Sequence, residues 1–393
     1  LDRYPDDATL DFDFNFNLRG VIAIAPVYGQ YQPRGRYTPV RDVNYFTIHG
    51  DMDGDVQSFE GMAQYSRVSF PGDEFGFRSG LYVVGANHGQ FNTTWQNMDT
   101  SWFRAWALDL DRIMNGEEQR DVARVYFSAF LEIVLNDRDE YLPMFADARH
   151  AAAWLPETFF INQSASSEDR PIADFEEDIN PETMTVPDGR ISTRHLSRWY
   201  EAGNELKYDE LDTHSAVFAW DRKFSDETAQ VDFTIPSGSL IDGNGRLLVA
   251  SISASDAGTM PDDWEADEDD EDATDPGGAE AGKGDEPLDW SIVLTDSAGA
   301  MASLPLSYDS TLYPLVNAVP RRASFLDDSD PTEVLFRRFQ FPFAAFRAEN
   351  PGLDIGAISS VSFIFDRSTK GAIIIDDLSV TSARYGAVEA SAR

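Results

Sequence analysis

The sequence predicts two structural units, an α/β unit followed by an all-β sandwich. Up to about residue 156, short apolar runs alternate with segments of helical periodicity, which is the pattern of a doubly wound α/β domain. Beyond about residue 213, strand-like runs follow one another without intervening helices, which is the pattern of a β-sandwich. The length of 393 residues agrees with this division, because a single hydrophobic core stops growing below that size.

Three short runs in the first unit have the composition of strands that are covered on both faces. Residues 19–28, 43–50 and 79–89 are rich in Val, Ile and Tyr and have Gly or Pro at their ends. Near-continuous apolar runs of this kind are typical of parallel sheets. Apolar residues recur at helical spacing across residues 116–136, behind acidic residues in the first turn, so this segment is predicted to be a helix.

The second unit is predicted to span residues 213–384, after a linker and edge segment at 157–212 with little regular structure. About seven strand-like runs with turn residues between them lie in it. An acidic insertion at about 256–288 interrupts these runs. Its low-complexity composition cannot bury enough apolar surface to become ordered, so it is predicted to loop out between two strands. Residues 385–393 are predicted to form a tail.

The charge of the chain excludes several classes of partner. There are 69 acidic and 31 basic residues, so the formal net charge is −38. Nucleic acids and anionic membrane surfaces would repel such a chain, and no nucleic-acid partner is predicted. No apolar run approaches the roughly 18 residues of a membrane span. The absence of cysteine excludes disulfides and thiolate chemistry but leaves the compartment open, with a secreted or extracytoplasmic location favoured.

The stretch HGDMDGDV at residues 49–56 has two possible functions, because it concentrates aspartates in a short loop. An EF-hand calcium loop has oxygen ligands at its first, third and fifth positions, but it also needs glycine at the sixth and glutamate at the twelfth. In this chain those two positions are Val56 and Met62, so an EF-hand is rejected. No metal and no cofactor are predicted.

The same loop directly follows an apolar run, and so does the loop that contains His88. Functional groups of open α/β sheets collect at the carboxyl ends of the strands. A carboxylate and a histidine at two consecutive strand ends are suited to general-base catalysis, in which the acid orients the imidazole. Asp53 and His88 are therefore the candidate catalytic residues. Asp51 and Asp55 are alternative acids, and His49 is interpreted as a structural residue.

These motifs resemble the α/β-hydrolase family. The pattern H-G-x-x-D-x-x-V at residues 49–56 is similar to the acid loop of that family, and ANHGQF at residues 86–91 is similar to its histidine loop. The resemblance covers about residues 1–156, which would be the C-terminal portion of the hydrolase domain. It implies that Asp53 is the acid and His88 the general base of a serine-type triad that acts on carboxylic esters.

The nucleophile that this resemblance requires is missing. The elbow G-x-S-x-G occurs nowhere in the chain, and no serine or cysteine precedes Ser58. The chain also begins at Leu1 without a methionine. Two explanations are open, a longer hydrolase whose serine lies upstream or a degenerate relative without catalysis. The first is favoured, and it predicts that this chain alone is inactive and exposes an unpaired sheet edge.

Aromatic residues closely follow the candidate base. Phe91 and Trp95 are candidate substrate-binding residues, because aromatic side chains there would wall an apolar pocket for an ester substrate. The alternative is that they only pack the loop against the following helix, together with Trp102, Phe103 and Trp106.

The end of the second unit carries a second resemblance. The segments FQFPFAAF at residues 339–346 and GAIIIDDLSV at 371–380 resemble the last strands of jelly-roll modules of the carbohydrate-binding or galactose-binding-like type. The resemblance implies a possible glycan partner, for which Trp220, Trp264 and Trp290 are candidate stacking residues, although most Trp and Phe residues of this unit are expected to lie in its core. A non-catalytic glycan-binding or structural protein is therefore the alternative to the ester hydrolase.

Overall fold

The structure is a computed structural model that describes residues 17–30, 32, 35–100, 107–208, 210–261, 286–322 and 331–386. No helix within these ranges is long and apolar enough to cross a membrane. The strands of the described residues are, in chain order, β1 (Gly20–Ile24), β2 (Val40–Arg41), β3 (Asn44–Gly50), β4 (Val68–Ser69), β5 (Phe77–Val83), β6 (Phe160–Ser166), β7 (Arg170–Ala173), β8 (Arg190–Arg194), β9 (Arg198–Glu205), β10 (Glu210–Asp221), β11 (Gln230–Thr234), β12 (Arg246–Ala254), β13 (Ser291–Asp296), β14 (Met301–Pro305), β15 (Val316–Asn317), β16 (Thr332–Glu333), β17 (Arg337–Pro342), β18 (Ile358–Ile364) and β19 (Lys370–Ser382). The α-helices described with them are α1 (Gly61–Tyr65), α2 (Gly116–Asn136), α3 (Leu142–Ala146) and α4 (Phe343–Glu349).

The first sheet has four strands in the order β1-β3-β5-β6. β1, β3 and β5 are parallel, in agreement with the apolar character of their sequences. β6 runs antiparallel to β5 and extends the sheet beyond the predicted limit at residue 156. In the described part of the chain, β1 has a partner strand on one side only, and Ile24 at its end is exposed.

Helix α2 covers one face of this sheet and has the predicted bounds. It begins behind Asn115, whose side chain accepts a hydrogen bond from the Glu117 backbone N–H, and it ends at Asp137 in the left-handed conformation. Its buried stripe includes Tyr126 and Phe130, which pack on Phe46 of β3. The apolar residues at helical spacing in the sequence are therefore those on the face of α2 that packs against the sheet.

The second unit is a β-sandwich of two antiparallel sheets. One sheet has the order β17-β12-β19-β10-β9, with β7 added on β19, and the other has the order β14-β13-β18-β11-β8. Their inward side chains form one core that contains Trp220, Trp290 and Phe363. The fold is therefore mostly β with few helices, as predicted for the second unit.

Residues 157–212, predicted as a linker and edge segment, contain more regular structure than expected, namely the strands β6, β7, β8 and β9. β8 pairs only with β11, and β9 pairs only with β10, so both are edge strands. Edge strands expose many of their side chains, and the sequences RISTR and RWYEAGNE accordingly lack a continuous apolar pattern. The exact division into domains stays a prediction. Most of the acidic insertion and the last residues of the tail lie outside the described residues.

Side chains of the first unit and the sandwich share a core. Leu247 and Val249 of β12 point away from the sandwich interior and pack in the same cluster as Phe145 of α3 and Phe77 of β5. Paired charges lie beside this core. Arg338 donates to Asp169 at 2.8 Å, and Arg149 donates to Asp309 at 2.9 Å. One sheet of the sandwich is thus covered in part by the first unit.

Glu333 is a buried carboxyl that also connects the two units. Its Oε1 accepts hydrogen bonds from the Ser58 hydroxyl at 3.0 Å and from the Phe59 backbone N–H at 3.1 Å. Burial raises the pKa of Glu333 to about 7, although these hydrogen bonds oppose the shift. The folded chain therefore binds this proton more tightly than the unfolded chain does.

We expect Glu333 to make the stability of the fold depend on pH. Because its folded pKa lies above its unfolded value of about 4.3, its contribution is fully present below the unfolded value and is lost as the pH rises through the folded pKa. The free energy of unfolding should therefore fall by up to about 3 kcal/mol between about pH 4.5 and pH 7. Urea denaturation at several pH values should show this slope in the wild type and a smaller one in Glu333→Gln. Glu349→Gln, at an exposed position of α4, is the control. Equal slopes in all three proteins would contradict the assignment.

Candidate functional site

The candidate site is built at the carboxyl ends of β3 and β5. Gly50 at the end of β3 is paired with Val83 at the end of β5. The two loops that follow therefore leave the sheet side by side. The loops contact each other near their first residues, since the Met52 backbone N–H donates to the Ala86 carbonyl at 3.0 Å. A Cβ on Gly50 would lie 2.1 Å from that carbonyl oxygen, so only glycine fits between the loops.

Asp53 and His88 meet directly. His88 Nδ1 lies 2.9 Å from Asp53 Oδ2. The other carboxylate oxygen, Oδ1, accepts hydrogen bonds from the backbone N–H groups of Asp55 at 2.9 Å and Val56 at 2.7 Å. Asp53 is 1% exposed, whereas the His88 side chain is 18% exposed. The loop thus holds a buried carboxylate in place and offers one edge of the imidazole to solvent.

The electrostatics of the pair favour the protonated imidazole. The hydrogen bond to Asp53 raises the pKa of His88, and the charges of Asp53, Asp55 and Asp99 act in the same direction. Partial burial opposes the shift. Asp55 is the nearest acid to the free ring nitrogen, with its Oδ2 3.9 Å from His88 Nε2, and its side chain is 61% exposed.

Two other polar residues of the acid loop, Asp51 and His49, contact groups of the protein interior and form no hydrogen bond with the His88 ring. Asp51 is buried and accepts hydrogen bonds from the Gly85 backbone N–H at 2.5 Å and from Arg112 Nη2 at 3.2 Å. Burial raises the pKa of Asp51 to about 6. His49 is also buried and stacks on Phe59, and burial lowers its pKa. Neither residue replaces Asp53 beside Nδ1 of His88.

The two candidate substrate-binding residues lie in different environments. The Trp95 ring stacks near the His88 ring, with 6.0 Å between centroids, and it is 55% exposed. Phe91 is partly buried and packs against the core between the first sheet and α2. The Trp95 indole thus lies nearly parallel to the imidazole ring, whereas Phe91 is a packing residue. Trp102, Phe103 and Trp106 lie outside the described residues.

The sequence reasoning missed Asp99, which contacts both loops of the site. Its carboxylate accepts hydrogen bonds from backbone N–H groups of the acid loop and of the histidine loop. No motif points to this residue, because most of its partners are backbone groups. The glycines at 54 and 89, which directly follow Asp53 and His88, are a weak sequence signal that another group approaches the backbone closely there.

Among the described residues, no hydroxyl group hydrogen-bonds to His88. Ser58, the first serine of the chain, donates its hydroxyl to Glu333 instead. No group of three or more His, Asp or Glu side chains in the described ranges is arranged to hold a metal ion. Within the described ranges, the site is therefore a carboxylate–imidazole pair with no hydroxyl group bonded to the imidazole.

No protein-family model matches the chain, and no curated protein matches it significantly. Among solved structures, the family 11 carbohydrate-binding module of a cellulosomal cellulase of Clostridium thermocellum is similar at 10% sequence identity and a TM-score of 0.29, covering 55% of this chain and 94% of the module. A family 30 carbohydrate-binding module is similar at 11% identity and a TM-score of 0.30, covering 48% of this chain and 77% of the module. An exo-β-agarase is similar at 13% identity and a TM-score of 0.29, covering 55% of this chain and 25% of the agarase chain.

These comparisons give no support to the α/β-hydrolase resemblance. The structural neighbours reported above include carbohydrate-binding modules. Because the TM-scores are low, the description of the second unit as a β-sandwich rests on its own strand pairing.

The predicted sugar-stacking role of Trp220 and Trp290 was wrong. Trp220 is 2% exposed and Trp290 is fully buried. The Trp220 ring stacks on Phe365 at 4.0 Å, and its Nε1–H donates to the Ser368 carbonyl at 2.9 Å. The two indoles are the largest side chains of the sandwich core, where burial of apolar area outweighs any role at the surface. Trp264 lies outside the described residues.

We expect Asp53→Asn to lower the pKa of His88, because the substitution removes the charge and weakens the hydrogen bond that raise it. The folded pKa lies above the unfolded value of about 6.5. The stability that the pair contributes is therefore fully present below that value and is lost as the pH rises through the folded pKa. NMR titration of the imidazole signals measures the shift, with His214 of β10 as an internal control. An unchanged His88 pKa would show that the pair does not exist in solution.

Proposed function

We propose that Asp53 and His88 are the acid and the general base of a hydrolase that cleaves carboxylic esters by a serine-type mechanism. The observation that carries this proposal is the 2.9 Å contact between His88 Nδ1 and Asp53 Oδ2. It joins a buried, backbone-bonded carboxylate to a partly exposed imidazole at the ends of two adjacent parallel strands. Open α/β sheets place functional groups at this edge.

In this proposal, each ring nitrogen of His88 has a separate task. Nδ1 carries its proton toward Asp53, whose Oδ1 is held by two backbone N–H groups. This arrangement fixes the tautomer and leaves Nε2 free to accept a proton. A hydroxyl nucleophile beside Nε2 would lose its proton to His88 as it attacks the ester carbonyl carbon. The protonated imidazole would then donate that proton to the leaving alcohol, and water would hydrolyse the acyl-enzyme in the same way.

The surroundings of Nε2 agree with this role. Asp55 Oδ2 approaches Nε2 to 3.9 Å but its side chain extends into solvent, so a substrate or nucleophile could displace it. Trp95 lies alongside the ring and is largely exposed. An exposed indole next to the base supplies an apolar surface for an acyl chain or a ring-bearing group. Uncharged esters also suit the chain, because its net charge of −38 does not repel them.

Ester hydrolysis by the full-length gene product should depend on His88. We expect His88→Gln to reduce kcat/KM for p-nitrophenyl acetate by at least about 10³-fold, because removal of a triad member has effects of this size or larger. Asp53→Asn should have a similar effect on kcat/KM, and most of it should come from a lower kcat with little change in KM.

The matched control for this assay is His214→Gln, which removes an imidazole paired with Glu176 in the sandwich. It should leave turnover at the wild-type rate. The hydrolase proposal fails if His88→Gln retains full activity, or if the wild-type protein hydrolyses no ester in a panel of acyl chain lengths.

A second candidate function is glycan binding by the sandwich. The observation that favours it is the outward face of the sheet β14-β13-β18-β11-β8, which carries hydrogen-bonding side chains at its centre. Asp232 of β11 accepts hydrogen bonds from Ser362 at 2.6 Å and from Arg194 at 3.1 Å. Arg194 and Met301 on the same face are exposed. Polar groups of this kind fit the hydroxyls of a sugar, although the described outward positions of these strands hold no aromatic residue.

If this face binds a glycan, a neutral polysaccharide should retard the protein in affinity gel electrophoresis. We expect Arg194→Ala together with Asp232→Ala to weaken that retardation by at least about tenfold in apparent affinity, a loss of about 1.4 kcal/mol. Glu117→Ala on α2 is the control on the opposite unit. Equal retardation of the double variant and the wild type would exclude this face, and no retardation by any polysaccharide would exclude the function.

A further inference from the structure

Asp99 is a buried carboxylate that touches both loops of the candidate pair. Its Oδ2 accepts hydrogen bonds from the backbone N–H of Gly54 at 3.0 Å and from that of His88 at 2.9 Å. Its Oδ1 accepts hydrogen bonds from the backbone N–H of Gly89 at 2.8 Å and from Asn87 Nδ2 at 2.7 Å. Only 8% of the residue is exposed. One side chain therefore satisfies donors from two loops that are distant in sequence.

The two glycines allow this carboxylate to approach the backbone. A Cβ on Gly89 would lie 2.9 Å from Asp99 Oδ1, and a Cβ on Gly54 would lie 3.2 Å from Asp99 Cβ. Larger residues at these positions would push the carboxylate away from its donors. Because Gly54 follows Asp53 and Gly89 follows His88, the contact fixes the backbone directly beside each member of the pair.

Asp99 influences the Asp53–His88 pair by holding the backbone of the two loops. None of its hydrogen bonds reaches the imidazole ring, and Asp53 already occupies Nδ1. The charge of Asp99 raises the pKa of His88 less than the charges of Asp53 and Asp55 do. A carboxylate can accept several N–H donors at once, whereas an amide of the same shape cannot, because its NH₂ group would face another donor.

We propose that Asp99 is the positioning residue of the pair and holds the acid loop and the histidine loop at the separation that the hydrogen bond between Asp53 and His88 requires. Its effect on turnover rests on the proposed function. Its effect on the geometry of the pair does not, and the two effects can be measured separately.

The variants Asp99→Asn and Asp99→Glu separate position from charge. Asp99→Asn removes the charge and exchanges one acceptor oxygen for a donor, while Asp99→Glu keeps the charge but lengthens the side chain by one methylene. In both variants we expect the His88 pKa, measured by NMR titration, to fall below the wild-type value because the contact to Asp53 loosens. A wild-type pKa in Asp99→Glu with a lower one in Asp99→Asn would show that only the charge matters, and would overturn the proposal.

Asp296 provides a matched control within the sandwich. It is 2% exposed, and its carboxylate accepts hydrogen bonds from the backbone N–H groups of Ala298, Ala300 and Asp354, each at 2.9 Å. Asp296→Asn therefore removes the same kind of contact far from the pair. It should lower the urea midpoint as Asp99→Asn does, yet leave the His88 pKa unchanged.

The kinetic test uses the full-length gene product and p-nitrophenyl acetate. We expect both Asp99 variants to reduce kcat by about 10²-fold with little change in KM, because misplacement of a catalytic group by about 1 Å has an effect of this size. Asp296→Asn should keep wild-type kcat. Wild-type kcat and His88 pKa in folded Asp99 variants would overturn the positioning role. A lowered pKa in a protein without any esterase activity would instead support the positioning role and reject the proposed function.

Discussion

The parallel register of β3 and β5 is the constraint on which the candidate site depends. Pairing of Gly50 with Val83 ends both strands at one edge of the sheet, so two loops begin side by side although α1, β4 and β5 separate them in the sequence. The absence of a side chain at Gly50 lets the loops touch. Helix α2 then secures the histidine loop, because Gln119 donates to the Asn87 carbonyl at 2.6 Å and accepts from its N–H at 3.1 Å.

Buried carboxylates hold this edge of the molecule together. Asp51, Asp53 and Asp99 each accept backbone N–H groups, and these bonds compensate for the loss of hydration. In a chain with a net charge of −38, so many buried acids would repel one another without such donors. Backbone amides are suited to this task because their positions are set by the strand ends and do not vary with side-chain rotamers. These hydrogen bonds keep Asp53 buried, whereas the side chain of His88 stays partly exposed.

Prediction from sequence succeeded for the elements whose burial requires a periodic pattern of apolar residues. The strands β1, β3 and β5, the helix α2 and most strands of the sandwich have apolar periodicity because one or both of their faces are covered. The edge strands β8 and β9 were missed because solvent on one side removes that pattern. Trp220 and Trp290 were misjudged for a related reason. A tryptophan in a strand has the same sequence signal whether its face points inward or outward, and only the packing of the two sheets decides which.

The sequence by itself determined the order of the two units and the candidacy of Asp53 and His88, since both residues follow apolar strands directly. Tertiary structure decided the rest of the site. It selected Asp53 over Asp51 and Asp55, because only the Asp53 carboxylate reaches His88 Nδ1 within hydrogen-bonding distance. It also revealed Asp99, whose partners are mostly backbone N–H groups. Every residue except proline carries such a group, so the letters of the sequence do not record which ones a buried carboxylate will bind.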